Sequence, residues 1–416
     1  MIDKYYYTSK DIEHLRELAK RHAEIASSPK NLERVALWQR HNAFKGERPV
    51  IHIEVGTFQQ EAIAPLMKCE TPFARNTEYN LLQDFINLEQ FDDDKVVPPY
   101  YMLGLNTSFS LFDTPVSESI ITDSNGIAQG HKFEHPVKDL HDDFEVFRRK
   151  STMSADMEST LKQKNALEDI FGDIIPVKLS MSSLYAVPTQ KVVHLMGMEN
   201  MLFAMYDYPD EFKEMMSRIA QEYCGYFKFL EEKGFLLQNN GFELLAQGSM
   251  CFWEESEKDG KILTSDVWGF MDSQETVGIS PDMFEEFIFP CYEKIGSLFG
   301  RLSYGCCEPV SAVWSCIKRF DNLKKVSVSP WCDEELMANE LRGKNIIFHR
   351  KPSPNYLGVG TTLDEDGFRK HIEATLKTAR GCHVEITQRD VYTVNNDIDR
   401  VKRYVKIIRE SIENCW

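Results

Sequence analysis

Arg48-Pro49-Val50-Ile51-His52-Ile53-Glu54 is a short β-branched run with proline at its entry and polar groups at its exit. Val and Ile at this density suit a pleated, buried surface, so the run predicts a core strand. Similar runs recur at Val96 to Leu105, Ile174 to Met181, Gly234 to Gln238 or Val267 to Met271, Arg301 to Gly305, Lys325 to Ser329, Asn345 to His349 and His383 to Thr387. Helical patterns lie between them. Ser280-Pro281-Asp282-Met283 places Ser at an N-cap and Pro at the first helical position, and Pro209 to Ile219 begins the same way. Asp333 to Leu341 and Asp364 to Ala379 separate the last strands, and Asp397 to Ile412 closes the chain as an amphipathic helix. Strands alternating with helices predict an α/β fold with a parallel sheet. Eight such strands and a closing helix favour a (β/α)8 TIM barrel, and no G-x-G-x-x-G follows any strand.

Residues 1–47 are expected to form an N-terminal helical arm, with Ser28-Pro29 breaking one helix from the next, and residues 48–416 the barrel. Two segments interrupt the rhythm. Val116 to Val137 alternates like a hairpin around Ser124-Asn125-Gly126, and Gly241 to Leu263 is irregular, aromatic and acidic. Both are expected as rim insertions covering the mouth, or as surface loops.

Of the 416 residues, 42% are apolar and 27% charged, which suits a globular chain with a large core. A net charge of −17 argues against nucleic acid and anionic membrane surfaces as partners. The opening Met1-Ile2-Asp3-Lys4-Tyr5 carries no signal-like apolar core, and ten cysteines without regular spacing read as reduced thiols. A cytoplasmic location is expected.

In a barrel, chemistry gathers at the carboxyl ends of the strands. There the sequence places His52 and Glu54, then Gln274 and Glu275, then Cys306, Cys307 and Glu308, then Ser329 and Trp331, then His349 and Lys351, and finally Glu385 and Asp390. Adjacent thiols beside a carboxylate suit a soft metal such as zinc, and they equally suit packing at a strand end. Glu54 could cap a helix, Asp390 could simply pair with Arg389, and Met196 to Met201 reads as core.

Asp272-Ser273-Gln274-Glu275 is followed by Gly278-Ile279-Ser280-Pro281-Asp282-Met283-Phe284-Glu285-Glu286-Phe287. On this motif the chain, from about residue 48 to 412, resembles the uroporphyrinogen decarboxylase superfamily. Pro176-Val177-Lys178-Leu179, Asn345-Ile346-Ile347-Phe348 and the terminal helix support it. It implies a barrel with its pocket at the strand carboxyl ends. The family's decarboxylases carry arginines after the first strand, where this chain has His52-Ile53-Glu54-Val55-Gly56, so porphyrin decarboxylation is not expected. The cobalamin-dependent methyltransferase branch is the nearer one. Its His-x-Cys reads here as Tyr304-x-Cys306, and its second cysteine falls on Asp390.

The resemblance therefore implies a methyltransferase, with a corrinoid protein carrying cobalamin as partner and zinc held by Cys306, Cys307, Glu308 and Asp390. Glu275, His349 and Tyr304 would carry acid–base or hydrogen-bonding roles. His52, Glu54, Gln274 and Trp331 would hold a small methylated substrate. Phe252, Trp253, Trp268 and Trp331 suggest an aryl methyl ether, undergoing O-demethylation. A metal-free lyase or decarboxylase of a small acid, and a non-catalytic binding barrel, are the competing readings. The helical arm suggests a homodimer.

Overall fold

The computed structural model describes residues 5–122, 128–255 and 258–416. The Ser124-Asn125-Gly126 turn lies outside them, but its flanks, Ser117–Thr122 and Ala128–Glu134, pair antiparallel as the alternation predicts.

Nine short strands form the wall: β1 Val50–Ile53, β2 Tyr101–Gly104, β3 Val177–Ser180, β4 Leu184–Ala186, β5 Trp268–Met271, β6 Arg301–Tyr304, β7 Leu323–Val328, β8 Ile347–Arg350 and β9 His383–Gln388. Seven make one parallel sheet in the order β1-β9-β8-β7-β6-β5-β4, and β2 and β3 form a separate parallel pair. The chain entering β2 is tied to β1 by Asp94 N–H donating to Ile51 O at 2.8 Å. The result is a TIM-barrel-like α/β fold in which regular pairing among the described residues does not close the ring. Central strands are buried on both faces, as parallel strands under helices must be.

Of the two alternatives for the fourth strand, Val267 to Met271 is the regular one. Phe235 and Leu236 are buried without strand pairing. Beside them the Asn239 amide stands in for a ladder: Oδ1 accepts from Trp268 N–H (2.8 Å), and Nδ2 donates to Ser182 O (3.1 Å) and Trp268 O (3.3 Å).

The helices that position the site are α1 Ser9–Ala26, α2 Pro29–Asn42, α3 Pro72–Ile86, α4 Met157–Phe171, α5 Pro188–Met196, α6 Pro209–Lys233, α7 Phe289–Gly296 and α8 Ile398–Cys415. Thr8 and Asp11 make a reciprocal capping box at the start of α1, an arrangement worth about 1 kcal/mol. Helix α1 lies against α3 and α4. Helix α2 covers the amino-terminal end of the sheet, where Trp38 Nε1–H donates to Asp94 O at 2.7 Å. No helix of the described residues is long and apolar enough to cross a membrane.

The Gly241 to Leu263 segment departs from the expectation of a rim insertion. Leu244–Leu245 and Ser249–Met250 form a small hairpin held inside the sheet. Its base sits at the amino-terminal end, where the carbonyls of Met250 and Phe252 accept from Asn42 Nδ2 (3.0 and 2.7 Å) and that of Cys251 accepts from Trp268 Nε1 (2.8 Å). Its tip rises to β1 and β9, where a Cβ on Gly248 would meet Thr387 Cγ2 at 2.6 Å. Segment 241–253 thus fills the space a barrel core would otherwise fill with side chains.

Gly305 ends β6 with φ +98°, and a Cβ there would lie 2.7 Å from Val310 Cγ2 and 3.0 Å from Ser327 Cβ. Gly305→Ala is expected to lower stability by about 1–3 kcal/mol, since both the backbone region and the packing oppose it. Urea unfolding checks this, and an unchanged midpoint would refute the close packing under Cys306.

Candidate functional site

Alternation along the parallel strands sends every second side chain to the interior, and the uppermost of these meet at the carboxyl ends. A cavity of about 490 Å³ opens there, walled by His52, Glu54, Lys95, Tyr185, Gln247 and Gly248 among others. Tyr185 is 47% exposed although it stands within the wall, stacked on Phe270 at 5.0 Å. Gln247, at the hairpin tip, holds a left-handed φ of +68°, a strain of order ~1 kcal/mol for a side chain of this kind. That conformation brings its Oε1 within 3.0 Å of Lys351 Nζ.

Behind Glu54 and Gln247 stands a charged cluster. Arg389 Nε donates to Glu54 Oε2 (2.9 Å), and its Nη1 donates to Cys306 Sγ (3.4 Å). Lys351 Nζ donates to Cys306 O at 3.0 Å. The Cys306 and Cys307 sulfurs are 3.5 Å apart, and Cys307 donates to Asp390 Oδ2 at 3.2 Å. Hydrogen bonding from Cys307 pulls the Cys306 thiol down to about 7, with the nearby charges of Lys351 and Arg389 acting the same way against the cost of burial. Cys307 is pushed the other way, first by its interaction with the Cys306 sulfur and then by burial. The two thiols titrate as a pair, and ionisation falls on Cys306 before Cys307.

Asp272 follows β5 and is 1% exposed, with Oδ1 lacking any partner. Burial first, then the charges of Glu308, Cys306 and Glu275, holds its carboxyl well above the usual range. Its neutral form is favoured, while the ionised form is favoured at the nearby Cys306 thiol. Separated protonation tendencies in neighbouring buried groups are a pattern expected of acid–base chemistry.

The residues singled out in the sequence fall into three groups. His52 and Glu54 reach the cavity wall, with His52 Nδ1–H donating to Gly248 O and burial keeping the ring neutral. Cys306, Cys307 and Asp390 join the cluster just described. The others serve the frame around it. Glu308 is buried and its two oxygens accept from Ser273 N–H (3.0 Å) and Cys306 N–H (2.8 Å), fixing the turn after β6. Tyr304 bonds Ser273 Oγ at 2.6 Å and packs against Tyr292 and Phe320 on the helical side. Glu275 accepts from Thr189 Oγ1 at 2.8 Å, and burial raises its carboxyl. Gln274 neighbours it in the same short turn, half-buried. His349 bonds Thr387 Oγ1 at 2.8 Å, and burial lowers it to about 3, so it is neutral at physiological pH. Trp331 is 74% exposed on the rim, while Phe252 and Trp268 are buried in packing near α2 and the hairpin base.

Zinc needs three or four converging donors. Among the described residues no group of three His, Cys, Asp or Glu side chains converges in that way. Glu308 is spent on backbone N–H groups, and Arg389 and Lys351 already place cations beside Cys306. The donor set does not fit a zinc ion. Purified protein is expected to hold zinc well below one ion per chain, measured by mass spectrometry of the digested protein. Stoichiometric zinc that disappears in Cys306→Ala would reverse this assignment.

Sequence reasoning passed over Asp272, Arg389, Tyr185 and Gln247 as site residues, and placed Lys351 at its strand end without giving it a role. Lys351 and Arg389 carried a signal, each lying two residues beyond an inward polar side chain, His349 and Thr387. Gln247 carried none.

The overall fold is similar to that of a methyltransferase from Methanosarcina mazei, with a TM-score of 0.52 over 91% of this chain and 98% of that one, at 13% identity. The likeness is one of fold. A B12-independent methionine synthase from Shewanella sp. W3-18-1, in complex with selenomethionine, matches 63% of this chain and 69% of its own at 12% identity, with a TM-score of 0.28 that carries no argument. No protein-family model matches the sequence, and comparison with curated proteins finds no match.

Proposed function

We propose that this chain is a methyltransferase working on a small substrate, with a cobalamin carried by a partner corrinoid protein as the other methyl carrier. In the same reading, β2 and β3 complete the ring of a (β/α)8 barrel. The observation that carries the proposal is the pairing of a thiol held near neutrality, Cys306, with a carboxyl held neutral, Asp272, under the cations of Arg389 and Lys351. The resemblance to the cobalamin-dependent branch, and the fold shared with a methyltransferase, support the direction of the chemistry.

The net reaction is R–XH plus methyl-cobalt(III) giving R–X–CH3, cobalt(I) and a proton. Cys306 takes the proton from R–XH, and the charge left on X is held by Arg389 and Lys351. A corrinoid presented by the partner would supply the methyl group, its C–Co electron pair staying with cobalt, to an X held in place by Arg389 and Lys351. In the reverse direction X leaves with the pair of the C–X bond and takes the proton back from the Cys306 thiol, while neutral Asp272 adds no second negative charge to the site. Two protein cations perform the charge stabilisation that zinc would otherwise give.

Anaerobic incubation of the protein with methylcobalamin and mercaptoethanol tests this by the absorbance of cobalt(I) cobalamin. Acceleration over the uncatalysed rate, lost on replacing Cys306, supports it; acceleration that survives the replacement refutes it. A metal-free lyase acting on a small acid is the second reading, favoured by the same cations, which suit a carboxylate. Turnover of small carboxylic acids without any demethylation of methylcobalamin would select it.

A further inference from the structure

A second cavity, of about 410 Å³, lies beside the first, and the two share Ser182, Ser183 and Tyr185 in their walls. Its lining is aromatic, with Phe109, Tyr185, Tyr223, Tyr226 and Phe227 contributing rings. Phe109 and Tyr226 stack at 4.7 Å with planes 9° apart, so each ring fixes the other in the cavity wall. Neither cavity wall includes Phe252, Trp253, Trp268 or Trp331.

One cation stands among these rings. Lys191, on α5, is half-buried and lines the cavity. Among the described residues it has no hydrogen-bond acceptor and no acidic partner; the other ionisable group it acts on is His194, whose charge it opposes. Burial alone lowers its ammonium from the usual value, with no carboxylate acting to restore it. An unpaired, partly desolvated cation is costly and is normally compensated. In a ring-lined cavity contiguous with a reactive cluster, the missing counter-charge is the natural place for a ligand's anion.

We propose that this second cavity is the binding site for an anionic aromatic ligand, a single ring carrying a carboxylate that pairs with Lys191 while the ring stacks among Phe109, Tyr223 and Tyr226. The proposal deepens the methyl-transfer reading by naming its substrate class. It rests on that reading only for the ring substituent that reacts, which would extend past Tyr185 toward Cys306. The binding itself stands apart from any chemistry.

The test is equilibrium binding by titration calorimetry to the full chain, with three probes: benzoate, its neutral isostere benzamide, and acetate, which has the charge without the ring. Benzoate is expected to saturate, benzamide to bind at least tenfold more weakly, and acetate to show no saturable binding. Lys191→Met should weaken benzoate tenfold or more and leave benzamide unchanged, whereas Lys191→Arg should retain benzoate. Tyr226→Leu should weaken both ring probes together. Equal affinity for benzoate and benzamide, or benzoate binding that survives Lys191→Met, overturns the proposal. So does the absence of saturable benzoate binding. Because no methyl is moved in this experiment, its failure is separate from failure of the methylcobalamin assay. Binding with no methyl transfer would leave the ligand site standing and remove the reaction.

Discussion

Lys325→Met will destabilise this protein by about 3–5 kcal/mol, the cost of leaving a buried charge without its partner. Lys325 is fully buried, and its Nζ lies 2.6 Å from Glu385 Oε1 and 2.6 Å from Ser249 Oγ, with Asn42 Oδ1 at 3.0 Å and Met250 O at 3.1 Å. Burial would raise the Glu385 carboxyl, but Lys325 first, then His41, whose Nε2 lies 3.3 Å from Glu385 Oε1, outweigh it and hold the carboxyl far below its usual range. The sign of the pH dependence follows. A carboxyl depressed in the folded state contributes stability that is full above its unfolded value of about 4.3 and is lost as pH falls from there toward the folded value. In Lys325→Met the same carboxyl is raised instead, so the variant gains relative to wild type as pH falls. Urea unfolding at neutral and acidic pH should show the gap narrowing toward acid. Lys325→Met combined with Glu385→Gln should recover much of the loss, because no charge then remains unpaired. A gap that is small at neutral pH, or that widens toward acid, would mean Glu385 is not held ionised by Lys325.

The second large effect is on rate. Cys306→Ser is expected to slow thiol methylation from methylcobalamin by about 10²-fold or more, the scale of a lost general base. In wild type the rate should rise with pH through about 7, where the Cys306 thiol ionises, and level off above it. The hydroxyl of serine does not titrate there, so the variant should lose that limb. Arg389→Met removes one of the charges favouring the thiolate and should move the limb upward without abolishing it. A limb that stays in place when Cys306 is replaced would assign the titration to another group.

The strands were legible because they are runs of β-branched residues buried on both faces, and one such run after another reads plainly along the chain. The ambiguity at the fourth position resolved against Gly234 to Gln238 because a side chain, Asn239, supplies the edge bonds in place of backbone. The hairpin at 241–253 was misread as rim. Each of its strands is two residues long, too short for any alternation to register, and its contacts reach sequence separations of up to 210 residues. The site was half legible. Cys306 and Glu54 stand where strand ends should carry chemistry. The pairing of Arg389 with both, across separations of 335 and 83 residues, depends on how the strands are arranged around the mouth. Glu308, Tyr304 and His349 have the right chemistry and the wrong outlook: their polar atoms are already satisfied by backbone or by neighbouring hydroxyls.

The inserted hairpin also bears on how the chain assembles. Segment 241–253 touches β1, β5, β7 and β9 through His52, Trp268, Lys325 and Thr387, so the strands around it cannot settle before it is seated. The last partner, β9, is made more than 130 residues later in the chain. Seating the hairpin therefore requires contacts across long sequence separations, the topology that slows folding. Lys325, reaching the hairpin and Glu385 at once, closes two of those loops together.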